Sequence, residues 1–216
     1  MTAQPVQEPA EHTFSEVYSD ALRGVSCSVR GAAVDEPLPV HDWVRHVNHA
    51  DRELLAHCRG ATLDVGCGPG RMSAHLAERG HVVLGVDIVR EAVEQARRRG
   101  VSALRRNVFD PLPGEGRWNT VLLADGNIGI GGAPVRLLRR AVELLDLTGR
   151  VVCDLAAPGT GLRHHDARLV TECKRSGSFP WAQVGPEAIE DVATDAGLRL
   201  DHLGEHRGRW FAVLAP

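Results

Sequence analysis

Asp64-Val65-Gly66-Cys67-Gly68-Pro69-Gly70 follows the apolar residues Ala61-Thr62-Leu63 and leads into the helix-compatible stretch 72–79. Three glycines at alternate positions, placed between a strand pattern and a helix pattern, mark a sharp turn made against a ligand. Glycine tolerates the required dihedrals and lets the backbone come close, while the free amides of the following helix favour a negative group. Twenty-one residues after Gly66 a second strand pattern ends in Asp87, followed by Ile88. That is where a nucleotide-binding sheet puts an acid to accept hydrogen bonds from ribose hydroxyls. Loop and acid together imply a ligand of adenosine type. A dinucleotide fingerprint needs its third glycine one place later, and Arg71 stands there, which weighs against a pyrophosphate.

Outward from this stretch, buried-strand runs alternate with amphipathic helical runs: HVVLGVD, EAVEQARRR, VSALRR, WNTVLLAD at 118–125, VRLLRRAVELL at 135–145 and RVVCDLA at 150–156. Such alternation is the signature of a parallel α/β sheet covered on both faces. A helix over 186–197 and two strands, LRLDHLGE and RWFAVLA, close the chain. Only His206, Arg207 and Gly208 separate those strands, so they are expected to form an antiparallel hairpin. The fold class is therefore α/β, a doubly wound Rossmann-like sheet of about seven strands, mostly parallel with a terminal antiparallel hairpin. It is read as a single domain over 1–216, with its core at 61–216 and an insertion at 157–185 holding one strand near ARLVTECK and a turn-rich GSFPWAQVG.

Upstream, 1–12 reads as a flexible tail, and 13–58 as cap helices: one through Phe14, Val17, Tyr18 and Leu22, a loop at 24–40, and one over 41–58. Composition narrows the class further. A formal net charge of -3 leaves no surplus of cations for a phosphate backbone, so no nucleic-acid partner is expected. No run approaches the roughly 18 apolar residues a membrane span requires. The five cysteines include no Cys-x-x-Cys pair, which excludes the close-paired zinc site and, with no secretory start, points to reduced, buried thiols and a cytoplasmic protein.

With these residues in view, the chain resembles the class I S-adenosylmethionine-dependent methyltransferases, whose first motif has the form acid-x-Gly-x-Gly-x-Gly. The segment Asp125-Gly126-Asn127-Ile128-Gly129-Ile130-Gly131-Gly132 is similar to that of short bacterial stand-alone members. The resemblance implies S-adenosylmethionine as cofactor, held by Asp64, Gly66, Cys67, Gly68, Gly70, Asp87, Ile88, Asn107, Val108 and Asp125. Asn107 departs from the family pattern, where an acid is commoner; its carboxamide oxygen can still accept from an adenine amino group. The expected activity is methylation of an oxygen or nitrogen on a small molecule, in specialised metabolism. The alternatives are a nicotinamide oxidoreductase and a module that binds S-adenosylmethionine without methylating.

Methyl transfer from a sulfonium is an in-line displacement needing position above all, and a base where the acceptor is a hydroxyl or protonated amine. Asp125, at the end of the fourth strand, and His164 and His165, in a loop after the fifth, are the catalytic candidates. Asp125 has the competing role of closing its turn or holding the cofactor's ammonium. Tyr18, Trp43 and Trp181 are the candidates for substrate binding. His46 and His49 share a helical face, yet a metal site needs a third ligand, and none is expected.

Overall fold

The computed structural model describes residues 10–31 and 36–216. The N-terminal segment forms β1 (Ala10–His12), α1 (Phe14–Leu22), β2 (Ser28–Arg30), β3 (Glu36–Pro37), α2 (Val40–Val44) and α3 (His49–Leu55). Then come β4 (Thr62–Val65), α4 (Arg71–Glu78), β5 (Val83–Asp87), α5 (Arg90–Arg98), β6 (Ala103–Arg105) and β7 (Trp118–Leu123). A 3-10 turn at Asn127–Gly129 leads to α6 (Pro134–Leu144) and β8 (Leu145–Leu155). The remainder is β9 (Leu162–Val170), β10 (Lys174–Ser176), β11 (Phe179–Val184), α7 (Ile189–Asp195), β12 (Arg199–His206) and β13 (Arg209–Ala215).

Seven strands make the main sheet in the order β12-β13-β8-β7-β4-β5-β6, with β13 antiparallel to both neighbours and the rest parallel. Alternation along the strands covers the sheet twice. Leu63, Val121, Val151 and Leu214 join Leu137, Leu138 and Val192 from α6 and α7 in one core. Leu122, Val152 and Val213 face the other way, against Leu54 of α3 and Met72 and Leu76 of α4. The order reverses at β4, which pairs β5 on one side and β7 on the other, so a crevice opens at the carboxyl ends of β4 and β7. The terminal hairpin turns through Arg207 and Gly208, both at positive φ, as a two-residue turn compatible with strand twist demands.

The N-terminal part and the insertion depart from the sequence expectation. Of the expected tail, residues 1–9 lie outside the described residues, and Ala10–His12 pairs in parallel with β10. The loop at 24–40 contains β2 and β3, and the helix expected over 41–58 is two helices. Asn48 caps the second, accepting from the Asp51 N–H while the Asp51 carboxylate accepts from the Asn48 N–H. That reciprocal cap starts a new helix where the apolar periodicity suggested a continuous one. His164 and His165 lie within a strand, and the turn-rich GSFPWAQVG is mostly β11. Four of the five cysteines are buried; Cys173 is exposed.

These strands build a second sheet, in which β9 is flanked by β2, β10 and β11. Two contacts pin it to the loop after β7. His164 Nδ1 lies 2.8 Å from the Gly132 carbonyl oxygen, and Ile130 bridges Trp181. The approach is close enough that a Cβ on Gly129 would stand 2.0 Å from the Ala182 carbonyl oxygen. Gly129→Ala is therefore expected to force the second sheet away and cost about 1–3 kcal/mol, the range for overpacking, read by urea denaturation.

Candidate active site

The crevice at the carboxyl ends of the main sheet is a cavity of about 790 Å³ with the second sheet as its roof. Its floor is the glycine loop. Gly66 and Gly70 are enclosed, by the Asn127 amide and by Ala96, whereas Gly68, at φ +52°, faces open space with only the Tyr18 hydroxyl nearby. A flat or charged group can thus lie on the backbone there. Asn127 Nδ2 donates to the carbonyls of Val65 and Gly66, each at 2.9 Å, and so holds the loop from the end of β7.

Asp87 accepts from the Gly68 N–H at 3.0 Å through one oxygen and from the Val89 N–H at 2.8 Å through the other. A carboxylate has about four acceptor sites, so Asp87, which lines the cavity, keeps capacity beyond these amides. Burial pushes its carboxyl up, partly offset by those amides. Asp64, 1% exposed, accepts from the Ser73 hydroxyl at 2.6 Å. Burial is the main cause that pushes Asp64 up to about 7. Two acids raised by desolvation beside one cavity favour a cationic or hydrogen-bond-donating ligand. Ile88 leaves 46% of its surface exposed at the cavity, and Val108 is buried along the same wall. The Asn107 oxygen accepts from the Phe109 N–H at 3.1 Å, leaving one lone pair. The Cys67 side chain packs into the core with Val93 and Ala96, so it offers the cavity its backbone.

Asp125 sits at positive φ, and its two oxygens face Arg71 Nη2 at 2.8 and 2.6 Å. Arg71 also pairs with Asp51, and Arg209 pairs with Asp51, Asp125 and Asp154. Arg45 completes the set on Asp51. Burial alone would raise the Asp51 carboxyl; Arg45, Arg71 and the Asn48 N–H outweigh it and hold the group far below the usual carboxylate range. Asp125 is therefore engaged as a partner of arginines and not presented as a free base. Arg71 is 4% exposed and borders the cavity, and its Nε has no hydrogen-bond partner among the described residues.

In the roof, pairing of His165 with Trp181 and of Ala167 with Phe179 places these four on one face, over the cavity. The two histidines separate by strand alternation. His164 points outward to Gly132, whereas His165 lines the cavity with a buried Nδ1 that has no partner among the described residues. Tyr18 and Trp43 line the same cavity from α1 and α2, their ring centroids 5.8 Å apart. Burial, then the charge of Asp87, pushes the Tyr18 hydroxyl well up. All three aromatic candidates thus meet the glycine loop, Asp87, Asp125 and His165 around one space; His164 does not. Sequence reasoning missed Asn127, Asp51, Asp154, Arg209 and Gln183. Arg71 was visible, but only as the place where a glycine was lacking. Outside the cavity, His49, Glu53 and His206 bring ligand-type atoms within 4.8 Å of one another, so the third group near His49 comes from Glu53 and the distant hairpin, not from His46.

A family model described as a methyltransferase domain matches residues 62–149, the span from β4 into β8. The structure of a methyltransferase from Bacteroides fragilis, in complex with S-adenosylhomocysteine, superposes with a TM-score of 0.78 at 21% identity, covering 99% of this chain and 97% of that one. A Burkholderia thailandensis 1,6-didemethyltoxoflavin N1-methyltransferase gives 0.60 at 21% identity over 99% and 91%. A sugar N-methyltransferase from a Streptoalloteichus species gives 0.60 at 19% identity over 100% of both chains. The sheet order is that of a doubly wound Rossmann-like α/β fold, which this chain shares with those structures. The match over residues 62–149 weighs against the oxidoreductase alternative. No helix among the described residues is long and apolar enough to cross a membrane.

Removing Asp51 would leave Arg71 and Arg209 as underpaired cations in the interior. Asp51→Ala is expected to cost about 3–5 kcal/mol of stability in chemical denaturation, the usual penalty for breaking a buried pair from one side.

Proposed function

We propose that this protein transfers a methyl group from S-adenosylmethionine to an oxygen or nitrogen of a small-molecule acceptor in specialised metabolism. One observation carries the reading: the glycine loop with Asp87, and His165, whose buried Nδ1 has no partner among the described residues, line the same cavity. Two relatives of similar extent are, by their names, a toxoflavin-precursor and a sugar N-methyltransferase, and both support a small acceptor.

The residues on the floor fit the cofactor. Gly68 leaves room for it, Asp87 keeps acceptor capacity for the ribose hydroxyls, and Ile88 and Val108 offer apolar surface to adenine, with the free lone pair of Asn107 nearby. Asp64 and Asp125 favour the positive charges of the methionine end, and the orphan Nε of Arg71 suits its carboxylate. When bound, S-adenosylmethionine supplies a methyl group on a positively charged sulfur. His165 would then accept the proton of the acceptor: the O–H or N–H proton would pass to the imidazole as the acceptor's electron pair bonds the methyl carbon, whose bond to sulfur would break to leave the neutral thioether of S-adenosylhomocysteine. Asp125, tied to Arg71, is assigned to positioning and not to proton transfer. The roof and the aromatic residues exclude water and hold the acceptor in line, which supplies most of the rate.

Calorimetric titration with S-adenosylhomocysteine is expected to show binding, with NADH giving none. Asp87→Ala should weaken it by about 1.5–3 kcal/mol, the worth of hydrogen bonds to a charged group; unchanged affinity removes Asp87 from the site. With an acceptor found by release of S-adenosylhomocysteine, His165→Ala should lower kcat by about 100-fold or more and flatten the pH profile. His164→Ala should leave both as they were, and the reverse result would exchange their roles.

A further inference from the structure

The two halves of the cavity differ in kind. Around the floor stand Asp64, Asp87, Asp125 and Asp154. Toward the roof the rings of Trp43, Tyr18, Phe14, Phe179 and Trp181 adjoin in series, with centroids 5.8, 5.4, 4.9 and 6.4 Å apart. On the inner face of β9 and β11 the polar side chains lining the cavity are His165 and Gln183, and their neighbours Ala167 and Leu169 are apolar. Among the cavity-lining residues, the N-terminal segment contributes one charged side chain, the exposed Glu36 of β3.

Resting on the methyl-transfer reading, we infer that the acceptor is an uncharged, planar aromatic molecule of the phenol or fused heteroaromatic class, bound with its O–H or N–H against His165. Three arguments converge. Aromatic walls bury a flat ring with favourable edge and face contacts. On the face of β9 and β11 a polyol would meet His165 and Gln183 among rings and aliphatic side chains, with Thr13, Ser15 and Tyr18 adding hydroxyls from the α1 side; its hydroxyls that lie against the rings would be stranded, at about 1–3 kcal/mol each. Among the described residues lining the cavity an anionic acceptor would meet two arginines: Arg71 is held by Asp51 and Asp125, and Arg106, beside Asn107 on the floor side, donates to the Arg105 carbonyl, while four aspartates stand below. An unpaired charge buried there is costly. His165 and Gln183 then set which atom of the ring faces the methyl group.

The test uses the full chain saturated with S-adenosylhomocysteine and three probes read by tryptophan fluorescence and calorimetry. They are 2-naphthol, 6-hydroxy-2-naphthoate, which adds a carboxylate to the same plane, and N-acetylglucosamine. 2-Naphthol is expected to bind, the carboxylate at least about tenfold more weakly, and the sugar not at all. Trp181→Ala should weaken 2-naphthol by about tenfold while leaving the affinity for S-adenosylhomocysteine unchanged, and Trp181→Phe should recover most of the loss. Failure of 2-naphthol to bind, equal or tighter binding of the naphthoate, or binding of the sugar overturns the inference. Failure of S-adenosylhomocysteine to bind is a separate result, which overturns the methyl-transfer reading and this one with it.

Discussion

Three arginines and three aspartates meet behind the glycine loop, and their mutual neutralisation is the constraint on which the site rests. Arg45 and Asp51 come from the N-terminal helices, Arg71 from the start of α4, Asp125 from the end of β7, Asp154 from β8 and Arg209 from the last strand. Six charges taken from water are tolerable only because each finds opposite charge within hydrogen-bonding range. The network ties the N-terminal segment to the sheet and pulls the ends of three neighbouring strands into register. It also occupies Asp125, whose carboxylate is engaged by Arg71 and Arg209.

The division between floor and roof follows from this anchoring. The floor is backbone and carboxylate, supported by Asn127 and by the ion network, and its shape suits a ligand common to a whole class of enzymes. The roof is made of side chains on a small sheet, fixed to the floor at Gly132 and at Trp181. Chemistry that varies between enzymes belongs on such a surface, because a substitution in it leaves the cofactor support untouched.

The main sheet and the floor were legible in the sequence because both rest on local patterns. Strand runs alternate with helical periods, the glycines fall at a strand end, and Asp87 ends the next strand. The second sheet was not, because its strands come from 10–12, 28–37 and 162–184 and pair only through tertiary contacts, while Pro37, Gly177 and Pro180 read locally as turns. Pro180 is accommodated in β11, a strand with β9 as its one named partner, where a missing N–H is tolerated. The ion network was equally hidden: its arginines look like an ordinary basic surface until the fold gathers them. His164 and His165 could be named as a pair but not told apart, since the distinction depends on their lying in a strand and on its register.

That register carries a consequence for how this protein could diversify. On β9 every second residue from His165 to Leu169 lines the cavity, and on β11 Phe179 and Trp181, paired across from Ala167 and His165, line it with Gln183, beside Pro180, Ala182 and Val184. Positions 165, 167, 169, 179, 181 and 183 therefore form a set that evolution, or an engineer, can rewrite independently of the glycine-loop floor. A single inserted residue at the start of β9 would do something different in kind, by moving every inward side chain to the outer face at once.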